Sequence, residues 1–300
     1  TLNKGLTSMG DGVFTLCTSL ENIAPPPTVK VVGYGAFSSC TKLANVDLNE
    51  GLENISRTFY GCTSLASIKI PSTVKVIDEG AFGDCTKLEN VQLSDRLKVI
   101  GEEAFYCCTS LVKIELNEGL ESIGGRAFTG CTSLKSVLVL CTVKVIELNA
   151  FYGCSSLVNV HLNEGLETIG VGAFKYCISM QQITIPSTLK EIHLGRLFDM
   201  RSRLFHGCTS LMTVDFCTEI QELISGLLSS AWWNQDDSNK VWRTYMFLTQ
   251  ERIAERLRLY PMELRSSIHD MIKRVPSIAF SELQNYHDSI NFKLTTYEEL

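Results

Sequence analysis

The chain repeats a pattern every 23 residues, and this period constrains its fold more than any other feature. One interval, between Phe37 and Phe59, has 22 residues instead. The residues that mark the period are Phe14, Phe37, Phe59, Phe82, Phe105, Phe128, Phe151 and Phe174. A fixed period between 20 and 50 residues is typical of solenoids, in which each repeat contacts only its neighbours. We therefore expect a stacked array.

Other apolar residues keep fixed distances from each phenylalanine. A cysteine follows three residues later, at Cys17, Cys40, Cys62, Cys85, Cys108, Cys131, Cys154 and Cys177. A leucine follows six residues later in most repeats, Met180 takes this place once, and Phe205, Cys208 and Leu211 resume the pattern after an insertion. One repeat cannot cover its own apolar side, so stacking must bury a continuous column of these residues.

Between these segments, alternating residues predict short strands. In residues 111–120, Ile114 and Leu116 are expected to point inward, while Lys113, Glu115 and Asn117 point outward. An Asn-Glu-Gly or Pro-Ser-Thr turn follows, and then a second extended segment such as 166–169. Each coil is predicted to hold two brief strands and one helical or irregular turn. The predicted fold class is an α/β repeat, a right-handed solenoid of short parallel strands.

These residues resemble the BspA-like leucine-rich repeats, whose pattern runs approximately Ile-Gly, Ala-Phe, Cys, Leu, Ile-x-Leu/Ile-Pro. The resemblance covers residues 1 to about 217 and implies a scaffold for ligand recognition, often used at cell surfaces. Residues 2–6 match residues 48–52 and residue 1 is Thr, so we expect the chain to begin inside a unit and to lack an N-terminal part. The missing signal peptide therefore does not decide the compartment.

Most of the twelve cysteines are expected to be reduced thiols in the core. Side chains at one repeat position point the same way, and such parallel vectors suit disulfides badly. Local pairing is the alternative. Cys107, Cys141 and Cys217 lie outside the repeat position and are predicted to be more accessible. Reduced thiols favour the cytoplasm, with the extracellular space or cell surface as the alternative.

The sequence predicts no enzyme, cofactor or metal site. The five histidines are scattered, without the spacing of zinc ligands, and the sequence has no nucleophile elbow or glycine-rich phosphate loop. A net charge of −6 without a basic face argues against nucleic acid as a partner. No apolar stretch approaches the roughly 20 residues of a membrane-spanning helix.

The outward residues of the first strands form the candidate ligand face. We therefore expect the chain to be a non-catalytic scaffold that binds a protein ligand, whose identity the sequence does not give. The alternative is a cell-surface adhesion or receptor module. Leu138 and Leu140 interrupt the polar columns and could mark a contact, although drift between repeats would produce the same pattern. The candidates are Asp47, Lys69, Gln92, Glu115, Leu138, Leu140, His161, Thr184 and Asp215.

The last repeat contains an insertion of about eight residues within 193–205. Insertions in solenoids emerge as loops, and Arg196, Arg201 and Arg203 could hold an acidic partner there. The alternative is a tolerated local duplication, because the segment repeats Arg-Leu-Phe.

Residues 218–300 lose the repeat and take up helical spacing, so the chain divides into 1–217 and 218–300. Helices are predicted at roughly 219–233, 238–259, 262–275 and 281–298. The apolar core at the end of a solenoid needs a cover, and these helices are predicted to cap it. A separate helical interaction domain is the alternative.

Deleting residues 218–300 tests the cap. If the segment covers the last coil, the remaining repeats should aggregate or unfold because their terminal core meets water. Thermal melting and light scattering of the two chains give the measurement. An unchanged melting curve would reject capping.

Overall fold

Stacked coils of short parallel strands form the described part of the chain. The computed structural model describes residues 2–189, 191–192, 205, 207–211 and 213–216. Nearly every coil gives one strand to each of two columns. We call them the first-strand column, before the Asn-Glu-Gly or Pro-Ser-Thr turn, and the second-strand column, after it.

Seventeen strands lie in the described residues, most of them only two residues long. They are β1 (Ser8–Met9), β2 (Asn22–Ile23), β3 (Val31–Val32), β4 (Asn45–Val46), β5 (Asn54–Ile55), β6 (Ser67–Lys69), β7 (Val76–Ile77), β8 (Asn90–Gln92), β9 (Val99–Ile100), β10 (Ser122–Ile123), β11 (Ser136–Val139), β12 (Val145–Ile146), β13 (Asn159–Leu162), β14 (Thr168–Ile169), β15 (Gln182–Ile185), β16 (Glu191–Ile192) and β17 (Thr213–Phe216).

The pairing advances one coil at a time, as a solenoid requires. In the second-strand column, β5, β7, β9, β10, β12, β14 and β16 form a seven-stranded sheet, and β1 pairs with β3. In the first-strand column, β11, β13, β15 and β17 form a four-stranded sheet, with β2 paired to β4 and β6 to β8. Every pair is parallel, so equivalent residues of successive coils lie side by side.

The strand predicted within 111–120 is shorter than expected. A single bridge joins Lys113 to Ser136, with no longer strand at this place. The side-chain directions agree with the prediction for Ile114, which is buried, and for Lys113 and Glu115, which are exposed.

Asn117 is buried, so the prediction that it points outward was wrong. Its side-chain amide donates hydrogen bonds to the carbonyl oxygens of Asp95 at 3.2 Å and Leu97 at 2.8 Å. It lies where the strand ends and the chain turns, and alternation no longer applies there. Its side chain closes the turn of the preceding coil.

The third side of each coil is a run of tight turns, and the described residues contain no helix. The backbone amides of Arg126, Phe128 and Gly130 donate to carbonyl oxygens of the next coil at 2.7–2.8 Å. The amides between them bond within the coil, three residues back. Because every second amide leaves the coil, the i→i−4 bonds of an α-helix cannot form. The α/β class is therefore corrected to an all-β solenoid for these residues.

These turns need left-handed backbone two residues before and two residues after each phenylalanine. Glycine often fills the place, as Gly130 does with φ of +74°. Arg126 and Asn149 hold the same conformation with φ of +54° and +53°. Their amides donate to Leu148 and Val171 in the next coil, which offsets the conformational cost.

Phenylalanine rings and cysteine thiols form the centre of the core. From Phe14 to Phe174 the rings stack in one file, with centroids 5.2–5.6 Å apart and planes within 9° of parallel. Seven thiols each donate to the carbonyl oxygen of the phenylalanine one coil earlier, at 3.0–3.2 Å, and we call them the ladder thiols: Cys40, Cys62, Cys85, Cys108, Cys131, Cys154 and Cys177. Each of these carbonyls also accepts the amide of the cysteine in its own coil.

Residues 218–300, with the predicted domain and helical cap, lie outside the described residues, and so do Arg196, Arg201 and Arg203 of the insertion. Within the described part of the chain, no helix has the length and apolarity needed to cross a bilayer.

The core thiol can be tested with Cys131→Ala. The change removes the thiol donor to the Phe105 carbonyl and leaves a small cavity, so we expect the free energy of unfolding to fall by about 1–2 kcal/mol. Urea denaturation measures it. Cys141→Ala, at an exposed thiol, is the matched control and should change stability by less than about 0.5 kcal/mol. Equal losses of unfolding free energy in the two variants would contradict a stabilising role for the ladder thiols.

Candidate ligand-binding face

The predicted central column of the first strands lies in one exposed file. Asp47, Lys69, Gln92, Glu115, Leu138, His161 and Thr184 are all exposed. The strand register places Lys69 beside Gln92, Leu138 beside His161, and His161 beside Thr184. Asp215 continues the file opposite Thr184 in the backbone register. A ligand-binding role for these residues stays a prediction.

Charges on this face largely cancel. Lys113 Nζ lies 2.6 Å from Glu115 Oε1, and the Lys113 hydrogen bond lowers the pKa of the Glu115 carboxyl. Both side chains are exposed, so the pair contributes little to stability. On the neighbouring strands β2 and β4, Asn45 Nδ2 donates to Asn22 Oδ1 at 2.6 Å. A partner would meet mixed, distributed polar groups and no single strong field.

The two leucines that interrupt the polar columns differ in exposure. Leu138 is 49% exposed. Leu140 is only half-buried, and it follows the end of β11 at Val139, where the chain begins to turn. It occupies the turn place that Asn117 takes one coil earlier. Leu140 is thus less exposed than predicted, and of these two leucines Leu138 displays more of its side chain.

Among the side chains that the structure describes, the aromatic ones outside the core lie on the turn side of the solenoid, and the first-strand face carries none. The Arg57 guanidinium lies 4.3 Å from the Tyr60 ring centroid. Lys175 Nζ lies 5.5 Å from the Tyr152 ring and 5.3 Å from the Tyr176 ring. Sequence reasoning missed these two separate groups of cationic and aromatic side chains, although a tyrosine follows the phenylalanine of its repeat at 60, 106 and 152.

The turn-side tyrosines are held by their neighbours. The hydrogen bond to Asp84 and partial burial raise the pKa of Tyr60 to about 12. A β-carbon built on Gly83 would lie 2.8 Å from the Tyr60 ring, so the ring fills the space that a side chain would occupy there. Tyr60 thus packs between Arg57 and the next coil, and this packing accounts for its position without a ligand.

The ladder thiols are expected to react slowly as nucleophiles. Burial raises the pKa of Cys62 to about 12, and it also holds the pKa values of Cys85, Cys108 and Cys154 well above the ordinary thiol value. The thiolate is the reactive form, so these groups are poor nucleophiles and metal ligands. Cys141 is exposed and Cys107 half-buried, as predicted, and Cys217 lies outside the described residues.

The described residues hold no group of three or more His, Cys, Asp or Glu side chains that could bind a metal ion. His161 stands between Leu138 and Thr184 in the strand register.

Comparisons with known proteins identify the repeat. The family model for the BspA type leucine rich repeat region (6 copies) matches residues 1–95, 56–146, 77–195 and 139–231. A crystal structure of a leucine-rich repeat protein from Bacteroides ovatus is 27% identical with a TM-score of 0.54, and the alignment covers 72% of this chain and 66% of that one. No curated protein matches the chain.

Two further solved structures match with lower TM-scores. A leucine rich cell surface protein from Faecalibacterium prausnitzii is 20% identical with a TM-score of 0.40, over 71% of this chain and 77% of that one. The T. pallidum leucine rich repeat protein is 30% identical with a TM-score of 0.43, over 58% and 72%.

Alkylation should separate the thiols by exposure. We expect a thiol reagent to label the exposed Cys17 and Cys141 first and Cys107 more slowly. The buried ladder thiols should be labelled only after unfolding, because burial keeps them protonated. Mass spectrometry before and after denaturation gives the order. Disulfides in native protein, or rapid labelling of the Cys131 thiol, would contradict the ladder.

Proposed function

Because this chain belongs to the BspA type leucine-rich repeat family, we propose that it is a non-catalytic scaffold whose first-strand face binds a protein ligand. One observation carries the proposal. Exposed side chains of successive coils lie in register along the first-strand column, and this display is how solenoids build extended binding surfaces.

The composition of the face supports recognition by shape and many weak contacts. Its charges alternate and partly pair, as at Lys113 and Glu115, so no strong field selects a highly charged partner. Leu138 adds one apolar group to this polar surface. We propose that it contacts the ligand near the middle of the described coils.

An adhesion or receptor role at the cell surface is a second form of the same proposal, and family membership supports it equally. Labelling intact native cells with a membrane-impermeant amine reagent separates the two. Modification of exposed lysines such as Lys69 would place the face outside the cell, and protection until lysis would place it inside.

Two finer parts of the proposal concern residues beyond those described. We propose that 218–300 caps the last coil and that the 193–205 insertion, with Arg196, Arg201 and Arg203, forms a loop. The support is the change of spacing in the sequence and the need of a solenoid for covered ends.

Leu138→Asn tests the face. The side chain is half exposed, so its loss should leave stability within about 0.5 kcal/mol while ligand capture falls. Affinity capture from native cells, compared by quantitative mass spectrometry with the unchanged chain, measures the loss.

Leu148→Asn is the matched control, because Leu148 is 45% exposed on the turn side. We expect its captured proteins to equal those of the unchanged chain. Equal capture by Leu138→Asn and the unchanged chain removes Leu138 from the site, and loss only in Leu148→Asn would move the binding surface to the turn side.

A further inference from the structure

At three places, the turn after a first strand adjoins the corresponding turn of the next coil, and the first of the two turns has the same sequence. We call each such pair of turns a joint. Each begins with an Asn-Glu-Gly turn, at residues 49–51, 117–119 and 163–165. The next coil places a second turn above each, with the sequences Pro-Ser-Thr at 71–73, Leu-Cys-Thr at 140–142 and Pro-Ser-Thr at 186–188. The three joints can therefore be compared group by group.

At the first and third joints, the glutamate binds the serine of the next coil. Glu50 Oε2 accepts hydrogen bonds from the Ser72 amide and from its hydroxyl, both at 2.8 Å. Glu164 accepts the Ser187 amide at 3.0 Å and the Ser187 hydroxyl at 2.8 Å. Each carboxylate thus ties two coils together.

The threonine of the second turn adds a further tie at these joints. Thr73 Oγ1 donates to the carbonyl oxygen of Leu52 at 2.5 Å. Thr188 Oγ1 donates to the carbonyl oxygen of Leu166 at 2.9 Å. The same bond at the middle joint would run from Thr142 to Leu120.

The middle joint lacks both ties. Cys141 stands where the other joints have serine, and within the described residues no hydrogen bond joins Glu118 to the turn above it. Thr142 Oγ1 and Asn117 Oδ1 are buried without a hydrogen-bond partner. Buried polar groups without partners favour any opening that lets water reach them.

The other sides of this joint stay closed. The amides of Lys144 and Glu147 donate to the Glu121 and Ile123 carbonyl oxygens at 2.8 and 2.9 Å. The Cys131 thiol still bonds to the Phe105 carbonyl in the core. Opening is therefore confined to the turn and leaves the coils stacked.

We propose that the joint between residues 117–120 and 140–143 is a built-in flexing point, at which the turn opens more often than at its two counterparts. The same coil carries the exposed Leu138 on β11, so the turn that opens directly follows the strand that displays this apolar group. This inference is independent of the proposed function, because it concerns the solenoid without a ligand.

Two backbone amides offer a matched test. Val74 and Val143 both follow threonine, and each donates to the carbonyl oxygen three residues back at 3.1 Å. Their intrinsic exchange and local hydrogen bonds are therefore alike, and they differ in the ties around them. Hydrogen exchange of the full chain, resolved by mass spectrometry, should show Val143 exchanging about tenfold faster than Val74.

Exchanging the two turn sequences tests the cause. Leu140→Pro with Cys141→Ser creates Pro-Ser-Thr at the middle joint, where proline is compatible because Pro71 and Pro186 occupy the same place. Pro71→Leu with Ser72→Cys makes the reverse change. We expect the first pair to slow exchange at Val143 about tenfold and the second pair to speed exchange at Val74 by a similar factor.

Equal exchange of Val74 and Val143 in the unchanged chain would overturn the proposal, and so would an exchange ratio that neither pair of substitutions alters. If Pro71→Leu with Ser72→Cys prevents folding, the variant with Leu140→Pro and Cys141→Ser still decides the outcome. The melting temperature of that variant should also rise, by about 2–4 °C if one hydrogen-bonded tie is regained.

Discussion

The structure depends on one repeated contact, the phenylalanine carbonyl that accepts two hydrogen bonds. At Phe105 the amide of Cys108 fixes the turn within the coil, and the thiol of Cys131 fixes the distance to the next coil. The stacked rings above and below keep the same spacing. The strand pairs and the turn-side amides fix the same register at the surface, so the face displayed by the strands stays aligned with this contact in the core.

The sequence predicts the core well because its residues keep fixed offsets. Phe128, Cys131 and Leu134 are buried as the period requires. Alternation fails at Asn117, since this residue comes after the strand has ended and a turn decides its direction. The sequence left open whether each coil holds a helical or an irregular turn, and the described coils hold the irregular one. The irregular turn depends on amides that hydrogen-bond between coils, and the helix propensity of a single segment does not reveal such bonds.

The candidate site was only partly predictable for a related reason. Equal spacing is enough to place Glu115, Leu138 and His161 in one exposed file. It does not reveal which polar groups are already satisfied, as with Lys113 and Glu115, or which turns lack their ties, as with Thr142. The tyrosines of the turn side show the converse. Their residue type suggests binding, but Tyr60 is engaged by Arg57, Asp84 and the next coil.

The shortened interval before Phe59 shows how this architecture can change its size. The coil has one residue fewer, yet the Phe59 ring lies 5.6 Å from Phe37 and 5.5 Å from Phe82, and Arg57 keeps its left-handed backbone and its bond to Glu79. The pitch therefore belongs to the core and not to the length of chain in each coil. Whole coils can be gained or lost without a new core, and the footprint offered to a ligand then lengthens or shortens in steps of one coil height. The packing of the core thus sets the spacing at which successive side chains are displayed on the ligand face.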